Sequence, residues 1–137
     1  MRTALLIFLV GVATFYPAAD YEGKVLYWST PEEPLYYHKE TVPWIAVPVE
    51  FYSKGWQKGD LVIVTFLELG VRRRFRALDA GPLSDYYIED YAALPLVADI
   101  PEYYWPFSDR LSTAITLYNA SLDRRIYEPF MTGSIRD

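Results

Sequence analysis

The sequence predicts an all-β fold of one domain, and three observations predict it. Its apolar runs are short and rich in β-branched and aromatic residues. Proline, glycine and Ser/Thr clusters separate them at the close intervals typical of a barrel or a sandwich. Apart from one helical turn, no stretch keeps the 3.6-residue apolar period of an amphipathic helix. The 137 residues contain no repeat, low-complexity tract or charge block that would mark a linker, and the chain is long enough to bury a core of its own.

Taken in order, the chain opens with positive charge at Met1-Arg2 and no charge from Thr3 to Ala13. Residues 1–10 therefore read either as the leading part of a secretory signal peptide or as a first strand, with Leu5, Ile7 and Leu9 as its apolar positions. The run is too short to span a bilayer as a helix. Residues 11–137 are the domain proper, with strands expected at 12–16, 24–28, 44–49, 60–66, 71–78, 96–100 and 114–119. Turns are expected at Ser29-Thr30-Pro31, Lys54-Gly55, Lys58-Gly59 and Ala80-Gly81-Pro82. Residues 101–107 suit one helical turn, with Pro101 at its first position and the acid Glu102 beside it.

Composition removes whole classes of chemistry. The chain has no cysteine, which excludes disulfides, a redox pair, a thiolate metal site and a cysteine nucleophile. Its one histidine, His38, is too few for an imidazole metal site, and neither metal nor cofactor is expected. A net charge of −5 argues against nucleic acid as a partner. The basic run Arg72-Arg73-Arg74 with Arg76 sits in a β-like stretch whose alternation divides it between two faces, so it reads as a solvated strand. Aromatics make up 18% of the chain, with 13 tyrosines and 4 tryptophans, which suits both strand packing and stacking on sugar rings.

Three pieces of sequence carry a resemblance. The first is Gly11-Val12-Ala13-Thr14-Phe15-Tyr16. The second is Ile45-Ala46-Val47-Pro48 followed by Lys58-Gly59-Asp60-Leu61-Val62-Ile63-Val64. The third is Ala77-Leu78-Asp79-Ala80-Gly81-Pro82-Leu83 with Val97-Ala98-Asp99-Ile100-Pro101 downstream. In this order they resemble the double-psi β-barrel family that includes rare lipoprotein A, the expansin barrel and membrane-bound lytic transglycosylases. The resemblance implies a small six-stranded barrel with short helical turns and a long first loop. It also implies an exported, cell-wall-associated protein that binds peptidoglycan or a related glycan, and in the cleaving members does so by lytic transglycosylase-like chemistry.

Under that resemblance Asp79 matches the aspartate that protonates a glycosidic oxygen, a role needing a carboxylic acid of raised pKa in a partly apolar groove. The plain alternative for Asp79 is a turn cap ahead of Gly81. Asp99 is either a second carboxylate facing the groove or a satisfied structural acid, and His38 either a sugar contact or a loop residue. Tyr86, Tyr87 and Trp105, with Tyr91, Tyr103, Tyr104 and Phe107, would line a stacking platform or else belong to core and interface. A different reading of the whole chain is a non-catalytic assembly module, such as a virion, tail or surface-layer subunit, that packs its aromatics against other protein subunits.

Overall fold

The computed structural model describes residues 6–83 and 94–127. The chain forms strand β1 at Phe8–Tyr16, a short helix α1 at Ala18–Tyr21, β2 at Trp44–Pro48, β3 at Leu61–Phe66, β4 at Val71–Gly81, β5 at Leu96–Pro101 and β6 at Ser112–Asn119. Two 3₁₀ turns, Val49–Ser53 and Glu102–Tyr104, follow β2 and β5. A second helix, α2, occupies residues 120–127.

The six strands close into a barrel in the order β1-β5-β2-β4-β3-β6. Two neighbouring pairs, β1/β5 and β2/β4, are parallel, and the other ladders are antiparallel. Parallel neighbours need crossover connections, and the long loop 22–43 supplies part of one. The all-β expectation holds, and the barrel is the alternative the structure selects.

Alternation fills the interior. Val62, Val64 and Phe66 of β3 meet Ile115 and Leu117 of β6, Phe75 and Ala77 of β4, Ile45 and Val47 of β2, and Ala98 and Ile100 of β5. At 25 cal/mol per Å2 of apolar area, each large aliphatic or aromatic side chain removed from water here contributes roughly 1.5–3 kcal/mol. Phe51, Trp56 and Leu122 extend the same core. Every residue of β2 is buried, because its second face is covered by loop 22–43, where Tyr37 and Leu26 pack on Trp44, Ala46, Leu78 and Tyr16.

Each parallel pair carries a bulge. In β4 it falls at Leu78, since Ile45 pairs with Ala77 and Ala46 with Asp79; in β5 it falls at Val97, since Val12 pairs with Leu96 and Ala13 with Ala98. A bulge shifts the alternation and re-aims the side chains after it. The β1/β5 crossing is so close that a Cβ on Gly11 would lie 2.7 Å from a Val97 methyl and 2.8 Å from the Pro95 carbonyl. Glycine is required there by space.

Several expected elements differ. Residues 24–28 form no barrel strand but a single bridge, Val25↔Tyr36. Six strands already close the barrel, and the Tyr27 N–H that a ladder would use donates to the Asp79 carboxylate at 2.8 Å. Ala80-Gly81 is not a turn, because β4 runs on through Gly81 in register with Pro48. Helix α2 was not expected from periodicity. Its signal is a cap, with Asn119 Oδ1 accepting the Leu122 N–H at 2.8 Å.

Candidate functional site

The bulges put Asp79 and Asp99 on the outer face of the barrel. Each pairs with Ala46 of β2, Asp79 from β4 on one side and Asp99 from β5 on the other. The methyl of Ala46 leaves the space between the two carboxylates unfilled. A cleft of about 470 Å3 opens there, lined by Thr14, Ala46, Asp79 and Asp99, by the rings of Tyr16 and Tyr21, and by apolar Pro82, Leu83 and Leu96.

The two carboxylates are held differently. Asp79 Oδ1 accepts the Tyr27 N–H, and Oδ2 accepts the Tyr16 hydroxyl at 3.2 Å. The Ala80 N–H adds a further bond. Asp79 thus latches the first loop to the barrel across 52 positions of sequence. Burial raises its pKa, and these bonds to the anion hold the rise back. Asp99 accepts one side-chain bond, from the Thr14 hydroxyl at 3.1 Å. Burial, with the charge of Asp79 nearby, pushes its carboxyl up to about 6. The charge of Asp79 adds to the rise at Asp99, while burial leads the rise at both carboxyls.

Tyr16 links the site to the core. Its hydroxyl accepts the Trp44 indole N–H at 2.6 Å and donates to Asp79, and its pKa is driven far up by burial first and by Asp79 second. Its backbone carbonyl accepts the Tyr37 hydroxyl at 2.6 Å. Tyr21 stacks on Tyr37 with ring centroids 6.0 Å apart and keeps an exposed edge toward the cleft. On the far side of Asp79, the Tyr52 hydroxyl donates to its backbone carbonyl at 3.0 Å, and the Tyr52 ring stacks on Tyr27 at 6.0 Å.

The structure therefore joins Asp79 and Asp99 at one cleft and places His38 and Trp105 away from it. His38 lies on the first loop, 3.9 Å from Glu22, and lines a separate shallow depression with Gly23, Tyr36, Glu40 and Thr41. Trp105 packs against Phe15, Phe66 and Phe107, and its indole N–H donates to the Arg110 carbonyl, so it does not line the cleft. Tyr86 and Tyr87 fall outside the described residues. Thr14, Tyr16, Tyr21 and Ala46 were not singled out as site residues from sequence. A tyrosine closing the Gly-x-Ala-Thr-aromatic run was the available signal for Tyr16.

Both carboxylates and the tyrosines can accept or donate hydrogen bonds to hydroxyls, and the ring faces can cover C–H surfaces. Two acids in a chain of net charge −5 repel anions from the cleft. No protein-family model matches this chain, and no curated protein matches it.

Proposed function

We propose that the cleft binds a glycan strand, peptidoglycan or a related polysaccharide, at the cell envelope, and that Asp99 serves as the proton donor to a glycosidic oxygen. The observation that carries this reading is the pair of raised-pKa carboxylates facing one cleft across Ala46. A general acid must hold a proton near working pH, and Asp99 with a pKa of about 6 does so better than a free aspartate. Asp79, tied by Tyr27, Ala80 and Tyr16, fits the role of the charged partner that binds sugar hydroxyls and stabilises positive charge developing on the ring. This assignment exchanges the roles expected from resemblance, in which Asp79 was the acid. Two parallel strand pairs in a closed barrel, each bulged near one of these aspartates, support a double-psi type of barrel.

The test is digestion of purified peptidoglycan by the wild type, Asp99→Asn and Asp79→Asn, with soluble products read by mass spectrometry. Anhydro-sugar fragments from the wild type and none from Asp99→Asn are expected, with a rate falling about tenfold per pH unit above pH 6. Retention of full activity by Asp99→Asn would refute its role. Absence of both cleavage and sedimentation with the polymer would refute the glycan reading altogether.

A further inference from the structure

Among the described residues, the first residues of β4 lie on an unpaired strand edge. The ladder from β4 to β3 reaches back to Phe66↔Val71, but the ladder to β2 begins only at Trp44↔Arg76. Residues 71–75 are therefore paired on one side. The Arg76 N–H donates to the Pro43 carbonyl on the β2 side at 2.8 Å, and the Ala77 N–H donates to the Asp60 carbonyl on the β3 side at 2.9 Å. By the alternation of an antiparallel ladder, the backbone N–H and C=O groups of Arg72 and Arg74 face the same open side as Arg76. A groove of about 350 Å3 runs along it, lined by Pro43, Arg72, Arg73, Arg74, Phe75 and Tyr104.

Arg72, Arg73 and Arg74 are all exposed, and among the described residues no carboxylate lies within ion-pair distance of them. An open edge offers main-chain bonds to any extended segment. The arginines decide which segment. A second copy of this chain pairing through the same edge would set arginine against arginine, which like charge opposes. An acidic strand would meet opposite charge on both faces, since Arg72 and Arg74 project to one face about 7 Å apart and Arg73 to the other.

We propose that this edge is a strand-addition site for an extended acidic peptide from a partner protein, lying in line with β2 and bonded to the main chain of Arg72 and Arg74. The site is distinct from the Asp79/Asp99 cleft, shares no residue with it, and stands whether or not the glycan reading holds.

The experiment uses the full chain and a synthetic peptide, acetyl-Glu-Thr-Glu-Val-Glu-Thr-amide, with binding read by fluorescence anisotropy and by amide hydrogen exchange. The expected result is saturable binding that slows exchange at the Arg72 and Arg74 amides at least tenfold and leaves Arg73 unchanged. Affinity should drop at least tenfold for Arg72→Gln/Arg74→Gln, and likewise when alternate peptide amides are N-methylated, a change that leaves the protein untouched. Equal binding of the methylated peptide, or of heparin with no amide protection, would reduce the site to unspecific charge and overturn the proposal. So would concentration-dependent dimerisation that protects the same amides without peptide, which would make the occupant a second copy.

Discussion

Replacing Asp99 by asparagine should make the protein more stable at neutral pH while removing its proposed acid. A carboxyl whose folded-state pKa lies above its unfolded value binds its proton more tightly when folded. Its stabilising contribution is present below about pH 4 and is lost as pH rises through about 6. Ionising Asp99 in the folded protein, against an ordinary value of 3.8, corresponds to a ceiling of ~3 kcal/mol, reduced to about 1–3 kcal/mol by solvent reaching this partly open cleft. Asparagine keeps the oxygen that accepts the Thr14 hydroxyl and cannot ionise. Urea melts at pH 4, 5.5 and 7 should show wild type losing stability as pH rises, and Asp99→Asn losing less. At pH 7 the variant should gain about 1–3 kcal/mol, or roughly 3–10 °C in Tm. Asp79, whose pKa is raised in the same direction, contributes to the slope that remains in the variant. Equal pH slopes for both proteins, or a variant less stable at pH 7, would refute the reasoning.

Further predictions concern the frame around the site. Tyr16→Phe removes the acceptor of the buried Trp44 indole N–H and one donor to Asp79, and should cost about 1–3 kcal/mol in denaturant melts; a neutral result would mean that Trp44 finds another partner. Arg125→Gln leaves Asp60, only 4% exposed, with Asn119 and the Gln57 N–H but without its two guanidinium bonds, and should cost roughly 2–4 kcal/mol, the partial exposure of Arg125 keeping the loss below that of a fully buried pair. An unchanged melt would show the ion pair to be dispensable. Gly11→Ala drives a methyl into Val97 and the Pro95 carbonyl and should destabilise by about 1–3 kcal/mol; a rise in stability would mean that β1 and β5 separate without strain.

Much of the barrel was legible in the chain because strand burial is periodic. Leu61–Phe66 and Ser112–Asn119 alternate strictly between buried and half-buried positions, and β-branched and aromatic residues recur in both. Residues 24–28 had the same composition and misled, because composition records fitness for extended backbone and not whether a partner edge is free. Helix α2 was hidden for the opposite reason. It is one short element held by the Asn119 cap and by Leu122 in the core, too brief to display a period.

The site divides along the same line. Asp79 and Asp99 stood out from the sequence as acids set among apolar residues, a local property of each strand. What made them a pair was the order β5-β2-β4, which places strands distant in the chain on either side of Ala46, and the bulges that turn both carboxylates to one face. His38 and Trp105 were attractive by residue type and lie elsewhere for the same reason. The sequence by itself determined the six barrel strands though not the exclusion of residues 24–28, the turns at Lys54-Gly55 and Lys58-Gly59 and the absence of cysteine chemistry, because propensity and alternation act between near neighbours. The tertiary structure alone decided strand order, the shared cleft and the open arginine edge of β4, because each arises from pairing across tens of residues that no local pattern encodes.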